Sequence, residues 1–450
     1  MADFFRQAAA DKISLVRFLY VDHGGIVRGK ATSVVRLEDR IESGIGHTRA
    51  MMAMSMLDEL APVEGMGPVG EVRIKPDPGT YRNKLPYAPG AAALLADLVN
   101  PDGSPWDGCA RTFLKNAIAE LNAEGYQLQA AFEPEFTLGR REGGDHEGAS
   151  FTPVDESLCY SLTGFHLAHD YTIDLVDALS RQGLEVEHYY PELGHGQQEV
   201  SIWHAEALGA ADRHVLLRET ARAVAIRHGL WASFAPKPLP DLAGNGAHLH
   251  ASLWSDGRNV FADPAGSFGL SGLGYRFLAG VLAHLPGLVA LTCGSVNSYR
   301  RLAPSTWSGA YACYGPDNRE AAVRICSPVG TDGSVNLELK PSDSTGNPYL
   351  ALGAFIYAGL DGIRRSLDPG EPVLVDPATL SEAERSRLSV TRLPSSLGAA
   401  LDALEADSVL MSALGPLRSS AYLAVKRSEV AHFAARDDVG YECRKHWLAF

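Results

Sequence analysis

The sequence is poor in the features that mark several large classes of protein. Its six cysteines include no Cys-x-x-Cys pair, so buried free thiols in a reducing compartment are expected. No basic tract interrupts a chain whose net charge is −14, which argues against general nucleic-acid binding. No internal repeat or low-complexity segment is present. What remains is an ordinary soluble composition, 46% hydrophobic, with ample material for a core.

Targeting and membrane signals are also scarce. Charge precedes any apolar run in residues 1–6, so no signal peptide is predicted. Residues 277–296 contain no Asp, Glu, Lys or Arg and are long enough to cross a bilayer. Pro286 and Gly287 interrupt this segment, so we predict a buried helix, a break and a second short element. The expected location is the cytoplasm, with no membrane partner.

The first hundred residues predict a small separate domain. Residues 13–35 alternate in type around a Gly-containing turn and predict a hairpin. Residues 62–90 are rich in Gly and Pro and are predicted to be mostly loop. The strong turn at residues 100–105 marks the predicted boundary between a domain of residues 1–105 and a domain of residues 106–450.

The second domain contains a buried strand with two carboxylates. Residues 130–138 are apolar at both ends, yet they include Glu133 and Glu135. Side chains at i and i+2 point to the same face of a strand. Two like charges about 4 Å apart repel by roughly 4 kcal/mol at an effective dielectric constant of 20. The pair therefore predicts a cation nearby.

Other carboxylates and histidines occur in similar positions. His248 and His250 stand two residues apart in an apolar strand, and Glu338 lies in another short strand. The candidate metal ligands are Glu133, Glu135, Glu192, Glu199, His248 and Glu338. Such a set suits Mg²⁺ or Mn²⁺ better than structural zinc, and it is large enough for two sites. Two-metal sites with oxygen ligands are typical of phosphoryl transfer.

An arginine-rich block follows these strands. It contains Arg300, Arg301, Arg319 and Arg324. Guanidinium groups suit carboxylates and phosphates, although surface salt bridges are the alternative. No Walker A sequence and no kinase-type Gly-rich loop is present. Metals and arginines together therefore indicate ATP and a carboxylate substrate on another kind of nucleotide-binding fold.

Six ordered motifs resemble those of the glutamine synthetase family, type I-like, over nearly the whole chain. They are Phe132-Glu133-Pro134-Glu135-Phe136, Glu192 to Glu199, Gly244 to His250, Asn297 to Pro304, Asp317 to Arg324, and Asn347 to Leu350. The resemblance implies an α+β fold with a small N-terminal β-grasp domain and a large catalytic domain built on a curved antiparallel sheet. It also implies a ring-shaped homo-oligomer, a dodecamer of two rings, with active sites between subunits.

The resemblance assigns the candidate residues to three groups. It implies that Glu135, Glu192 and Glu199 hold a metal beside glutamate, while Glu133, His248 and Glu338 hold a metal beside the ATP phosphates. It implies that Arg301 and Gly244 bind glutamate, that Arg319 stabilises the transferring phosphoryl group, and that Arg324 binds the nucleotide phosphates. Glu187, His250 and Ser252 are implied to lie near the adenosine.

The sequence departs from the family pattern around the ammonium site. Trp307 stands where the family has a glutamate that takes a proton from ammonium. The N-terminal region, residues 44–51, lacks the family's ammonium-binding aspartate. Cys159 aligns near a tyrosine of that site, with Tyr160 beside it. A Trp face attracts an organic ammonium by about 0.5–2 kcal/mol, so the sequence predicts a γ-glutamyl-amine ligase.

Three alternatives stay open at this point. One is a true glutamine synthetase whose ammonium site uses other residues. A second is another carboxylate–amine ligase, because Lys340 and Asn336 both replace family arginines. The third is a non-catalytic ring protein that binds a metabolite, against which the complete metal set argues.

Overall fold

The structure, a computed structural model, describes residues 10–143, 149–329 and 334–450. Residues 1–6, on which the prediction of no signal peptide depends, lie outside these ranges. Within the described chain, the strands form a five-stranded sheet in the N-terminal part and a twelve-stranded sheet in the remainder. This division agrees with the predicted α+β class.

The N-terminal sheet has the arrangement expected of a β-grasp domain. Its strands are β1 (Leu15–Val21), β2 (Val27–Ser33), β3 (Ile45–Thr48), β4 (Glu71–Pro76) and β5 (Ala91–Val99), in the order β2-β1-β5-β4-β3. β1 and β5 are parallel, and the other neighbours are antiparallel. Helix α1 (Leu37–Ser43) buries Leu37 and Ile41 in the core that this sheet forms.

Two predictions for this domain are confirmed, although one strand was missed. β1 and β2 form the predicted hairpin, and Gly25 in its turn has a φ of +88°, which glycine adopts without strain. Residues 62–90 are mostly loop, as predicted, but residues 71–76 form β4, which was not predicted. The strand forms because Val72 and Ile74 alternate with charged residues and enter the core. The Gly and Pro residues on both sides hid this short alternation.

The twelve-stranded sheet, referred to below as the catalytic sheet, is mixed. This corrects the expected antiparallel arrangement. Its strands are β6 (Gln127–Glu142), β7 (Ser150–Pro153), β8 (Val186–Pro191), β9 (Gln197–Ile202), β10 (Ala205–Glu206), β11 (Trp231–Ser233), β12 (Ala247–Ser255), β13 (Arg258–Asn259), β14 (Tyr311–Pro316), β15 (Ala321–Val329), β16 (Ser334–Leu339) and β17 (Thr391–Arg392). The main order is β17-β14-β15-β16-β12-β6-β9-β8. The β14–β15 pair is parallel, and the other pairs along this order are antiparallel.

Helices cover one face of this sheet. The helices of this domain are α2 (Ala110–Ala123), α3 (Leu162–Leu167), α4 (His169–Arg181), α5 (Ala207–Arg227), α6 (Gly272–Thr292), α7 (Ser298–Arg301), α8 (Pro348–Arg365), α9 (Glu382–Arg387), α10 (Leu397–Ala406), α11 (Ser408–Arg436) and α12 (Val439–Ala449). Phe132 on β6 meets His214 on α5, with ring centroids 4.6 Å apart. Leu249, Leu337 and Val323 join the same core. The alternate residues of these strands therefore point to the opposite, polar face.

Helix α6 continues through Pro286 and Gly287, so the predicted break is wrong. A Cβ on Gly287 would lie 3.1 Å from the Cα of Leu404. The glycine therefore permits close packing of α6 on α10 rather than ending the helix. Within the described ranges, α6 is the one helix long and apolar enough to cross a membrane, and 67% of its apolar window is buried inside the protein.

Candidate active site

Strand register brings the predicted metal ligands to one face of the catalytic sheet. Glu133 on β6 lies opposite His248 on β12, and Glu135 lies opposite Glu199 on β9. Glu338 on β16 lies opposite His250. Directly paired residues in antiparallel strands share a face. A band of carboxylates and imidazoles therefore crosses four adjacent strands.

Two carboxylate oxygens form the centre of a compact donor group. His248 Nδ1 lies 3.5 Å from Glu133 Oε2 and 3.4 Å from Glu338 Oε1. His250 Nε2 lies 3.4 Å and 3.8 Å from the same two oxygens. The ligand atoms of Glu133, His250 and Glu338 all lie within 4.8 Å of one another. Carboxylate and imidazole donors at this spacing suit a divalent cation.

Glu338 already has cationic partners. Arg324 Nε donates to its Oε2 at 2.5 Å, and Lys340 Nζ donates to its Oε1 at 3.2 Å. Burial raises the pKa of Glu338, but Lys340, the two histidines and Arg324 lower it more, and the net pKa falls well below its usual range. Glu338 is therefore an ionised, buried acceptor at this edge of the donor group.

Fewer cationic groups offset the negative charges of Glu135 and Glu199. Glu135 Oε2 accepts hydrogen bonds from Gln197 Nε2 at 2.8 Å and from the Gly246 backbone N–H at 2.9 Å. Burial raises the pKa of Glu135 to about 7, although Arg301 opposes this shift. Burial, followed by the charges of Glu133 and Glu135, raises the pKa of Glu199 to about 11. Such a concentration of buried carboxylates is the environment in which a cation is most stabilising.

Arg301 lies between this face and the segment that carries Gly244. Its Nη2 is 3.0 Å from His248 Nε2, and its Nη1 donates to the Ser342 carbonyl at 3.4 Å. A Cβ on Gly246 would come within 2.5 Å of Arg301 Nη2, and one on Gly244 would lie 2.2 Å from the Pro236 carbonyl oxygen. Glycine at position 246 therefore allows the backbone to lie close to the guanidinium group, and glycine at position 244 allows close approach to the Pro236 carbonyl.

Tyrosines line the other end of the site. The Tyr160 hydroxyl donates to Glu192 Oε1 at 3.1 Å, and the Tyr190 hydroxyl donates to Glu199 Oε1. The two rings meet edge to face, with centroids 5.2 Å apart. Tyr160 is 58% exposed. It therefore presents an aromatic wall to solvent beside the Glu192 carboxylate.

The loop between α7 and β14 holds Trp307 in a strained conformation. Trp307 has a φ of +55°, which is unfavourable for a bulky residue, and its side chain is 55% exposed. Its backbone N–H donates to the buried Glu320 at 2.7 Å. The hydroxyl groups of Thr306 and Ser308 both donate to the Ala303 carbonyl, at 2.7 and 2.9 Å. These bonds fix the loop with the indole turned outward.

Trp307 and Arg319 share a surface cleft of about 350 Å³. The other residues that line it are Pro316, Asp317, Asn318, Glu320, Leu374, Val375 and Asp376. The cleft combines an aromatic wall, a guanidinium group and carboxylates. It is therefore suited to a ligand with both charged and apolar parts.

Glu187 and Ser252 make no hydrogen bond or ion pair to the donor group within the part of the chain that the structure describes. Glu187 is exposed at an irregularity in the β8–β9 pairing. Ser252 lies on β12 two residues beyond His250, and its Oγ accepts from Trp254 Nε1 at 2.9 Å. Their implied positions near the adenosine stay predictions.

Four functional side chains of this face were given no role by the sequence analysis. They are Gln197, Tyr190, Asn336 and Cys326, which contact Glu135, Glu199 and His250. A simple signal could have found them, because Gln197, Asn336 and Cys326 each stand two residues from an identified site residue on the same strand. The same i, i+2 alternation that identified Glu133 and Glu135 therefore also applies to these residues on the neighbouring strands.

Comparisons with known proteins cover nearly the whole chain. The sequence profile of the glutamine synthetase catalytic domain matches residues 107–441, and that of the glutamine synthetase N-terminal domain matches residues 2–106. The chain is 38% identical over 432 residues to a γ-glutamylpolyamine synthetase of Streptomyces coelicolor, covering 95% of this chain and 92% of that protein. It is 37% identical over 370 residues to a glutamine synthetase of Halobacterium salinarum, covering 81% and 80%.

Solved structures also superpose closely on the chain. A crystal structure of a novel glutamine synthase homolog superposes with a TM-score of 0.86 at 36% identity, covering 97% of this chain and 99% of that chain. A GmaS/ADP complex superposes with a TM-score of 0.85 at 32% identity, covering 97% of each chain.

Proposed function

The chain belongs to the glutamine synthetase family, and we propose that it joins the γ-carboxylate of glutamate to an organic amine at the expense of ATP. The family is one of ATP-dependent carboxylate–amine ligases, and that general activity is the premise. Our proposal concerns the acceptor, which we infer to be an organic amine rather than ammonia. The supporting observation is Trp307 at the position of the family's ammonium-side glutamate.

The donor group fits the divalent metals that the family uses. Glu133, His248 and Glu338 would hold the ion beside the ATP phosphates, and Glu135, Glu192 and Glu199 would hold the ion beside glutamate. Oxygen-rich ligands with one or two imidazoles suit Mg²⁺ or Mn²⁺. When bound, these ions would neutralise negative charge on the ATP phosphates and on the substrate carboxylate.

The protein's own cations would orient the acid and the nucleotide. Arg301 would grip the glutamate carboxylate and Gly244 would leave room for its amino end. Arg319 would stabilise charge on the phosphoryl group in transit, and Arg324 would bind the nucleotide phosphates. Lys340, which replaces a family arginine, would supply positive charge for the acid, and its Nζ also lies 3.2 Å from Glu338 Oε1 of the ATP-side ligands. The γ-carboxylate attacks the terminal phosphorus, ADP leaves, and an acyl phosphate results.

The amine would then displace phosphate and form an amide. A glutamate in the position of Trp307 would attract a small cation and accept its proton. An outward-facing indole instead offers apolar area and a cation–π contact of about 0.5–2 kcal/mol for an alkyl or aryl ammonium. Tyr160 adds a second aromatic wall next to Glu192. These features favour an organic amine over ammonium.

The relatives support this proposal. The Streptomyces coelicolor protein is named a γ-glutamylpolyamine synthetase, whereas the Halobacterium salinarum protein is named a glutamine synthetase. Both identities are similar, so the choice between acceptors depends on the residues of this site. Alkyl, aryl, hydroxyalkyl and poly-amines all remain within the proposed class.

We further propose a ring-shaped homo-oligomer, a dodecamer with active sites between neighbouring subunits, located in the cytoplasm. Light scattering tests the assembly, because one subunit has a mass of 48.2 kDa. A ring would give a large multiple of that value. An active monomer would contradict shared active sites.

The function is tested by phosphate release from ATP and glutamate with a panel of acceptors. The panel contains ammonia, methylamine, ethanolamine, aniline, putrescine and spermidine at matched concentrations of the free base. We expect kcat/KM for at least one organic amine to exceed that for ammonia. Ammonia as the best acceptor would indicate a glutamine synthetase, and absence of turnover with metal bound would indicate a binding or scaffold protein.

A further inference from the structure

His250 is the one donor of the compact group that the family resemblance assigns elsewhere, near the adenosine. Its Nε2 atom nevertheless points between two ligands of the ATP-side ion, 3.4 Å from Glu133 Oε2 and 3.8 Å from Glu338 Oε1. His248 Nδ1 approaches the same oxygens at 3.5 and 3.4 Å. The two imidazoles therefore have equivalent relations to the two carboxylates.

The opposite edge of the His250 ring has a fixed partner. Its Nδ1 lies 2.9 Å from Asn336 Oδ1, and Cys326 Sγ lies 4.0 Å from the same nitrogen. An amide oxygen only accepts hydrogen bonds. Nδ1 therefore donates to Asn336, which leaves Nε2, directed at Glu133 and Glu338, as the nitrogen available to a cation. A hydrogen bond at one imidazole nitrogen is the usual way in which proteins set the ligating nitrogen.

The strand register explains how this arrangement is held. Asn336 stands two residues before Glu338 on β16, so both share its polar face. His250 lies opposite Glu338 on one side and opposite Ala131 on the other. The small alanine leaves space for the ring to lean toward Glu133. An arginine at position 336, as in the family pattern, has donors only and could not accept the Nδ1 proton.

We propose that His250 is a ligand of the ATP-side metal and that Asn336 is its positioning residue. The ion then has two imidazoles and two carboxylates. Nitrogen donors favour Mn²⁺ over Mg²⁺, because Mg²⁺ prefers oxygen ligands. The inference depends on the metal assignment in the proposed function but not on the acceptor, so it is tested in the absence of ATP, glutamate and amine.

The test measures Mn²⁺ binding to the full-length protein after removal of metals with a chelator. Free Mn²⁺ is followed by EPR, and the nitrogen couplings of bound Mn²⁺ are followed by pulsed EPR. The nitrogen signal reports the ATP-side ion, because the glutamate-side ligands proposed above are all carboxylates. We expect signals from two imidazoles in the wild type and from one in His250→Gln, with affinity at this site at least about tenfold lower.

Mg²⁺ competition gives a second readout. The same variant should lose part of its preference for Mn²⁺ over Mg²⁺, because one nitrogen donor is gone. His228→Gln is the matched control, since His228 bonds to Asp174 away from this face. Unchanged Mn²⁺ affinity and nitrogen couplings in His250→Gln would overturn the proposal, and weaker ADP binding with unchanged metal binding would assign His250 to the nucleotide instead.

Variants of Asn336 test the positioning role without removing the imidazole. Asn336→Leu removes the acceptor and should weaken Mn²⁺ binding about tenfold. Asn336→Asp keeps an acceptor at the same place and should bind Mn²⁺ at least as tightly as the wild type. Equal affinities for Asn336→Leu and the wild type, or for the two variants, would overturn the role of Asn336. Circular dichroism of each variant confirms that the fold is kept.

Discussion

Glu133 and Glu135 share one face of β6, but their closest polar partners differ. Glu133 faces His248 and His250, whereas Glu135 bonds to Gln197 and to the Gly246 backbone. A single strand thus carries one carboxylate into each half of the site. In the proposed function, its rigid spacing of two residues sets the distance between the two ions.

The first prediction follows from this division. Glu133→Gln should weaken binding of the nitrogen-coupled Mn²⁺ ion, whereas Glu135→Gln should weaken binding of the other ion. Each change should lower kcat/KM by about 100-fold or more, because a metal ligand is lost beside the reacting groups. Mn²⁺ titrations with pulsed EPR distinguish the two effects. Identical titration curves for the two variants would show that the pair serves one ion.

A second residue-scale prediction concerns the acceptor. Trp307→Glu should raise kcat/KM for ammonia relative to the preferred amine by about 2–30-fold, the range of a lost cation–π contact. Trp307→Phe keeps an aromatic face and should change the ratio less. Steady-state phosphate release with both acceptors gives the ratio. If Trp307→Glu and Trp307→Phe shift it equally, the indole does not select the acceptor.

At the scale of elements, a histidine joins three helices. His284 on α6 bonds through Nδ1 to Asp407, 2.7 Å away at the start of α11, and through Nε2 to Asp361 on α8, 3.0 Å away. Burial lowers the pKa of His284, but the two carboxylates raise it more, and the net pKa lies above the usual 6.5. The protonated ring therefore links the helices most strongly at low pH.

The third prediction is a pH-dependent loss of stability. A group with a raised folded-state pKa stabilises fully below its unfolded pKa of 6.5 and loses that contribution as pH rises through the higher folded pKa. His284→Gln should therefore lower Tm more at pH 6 than at pH 9. His204→Gln, whose ring meets the neutral Gln129 amide, is the control. Equal losses of Tm at both pH values for His284→Gln would contradict the account.

The strands and helices also show which local sequence signals are sufficient to predict an element. Strands β6, β12 and β16 were predictable because their apolar and polar residues alternate strictly over the buried sheet. β4 was missed because its two core residues, Val72 and Ile74, lie between Gly- and Pro-rich segments. Helix α6 was predicted to break because Pro286-Gly287 is a strong turn signal in isolation. Packing against α8 and α10 outweighs that local preference, and packing partners are not visible in a local pattern.

At the scale of the molecule, Arg111 links the N-terminal domain to helix α5 of the second domain. It bonds to Asp212 on α5 at 2.8 Å, to Asp97 on β5 at 3.2 Å and to Asp77 at 2.9 Å. Its side chain is only 2% exposed. Loss of this arginine would leave three acidic groups close together with less compensation, and such changes are strongly destabilising.

The fourth prediction uses this cluster. Arg111→Met should reduce the free energy of unfolding by about 3–5 kcal/mol. Arg364→Met, which removes a 45% exposed arginine from Glu120 and Glu124, should cost no more than about 1 kcal/mol. Denaturant titrations of both variants supply the comparison. Similar losses in the two would show that the buried cluster contributes no more than a surface pair.

Some features of the molecule could be predicted from the sequence, and others could not. The α+β class, the β-grasp hairpin and the ligands on β6, β12 and β16 follow from alternation and from motif order. The parallel β14–β15 pair does not, because pairing between strands is set by the register of the whole sheet. The orientation of His250 was equally hidden, since it depends on Asn336 on a neighbouring strand 86 residues away.

The central claim is the choice of acceptor, and a competition assay measures it directly. The protein is given ATP, glutamate, and ammonia together with one amine of the panel at equal free-base concentrations, and the products are quantified by mass spectrometry. The product ratio equals the ratio of the two kcat/KM values. We predict that γ-glutamylamide exceeds glutamine for at least one amine. Glutamine as the main product against every amine would contradict the account.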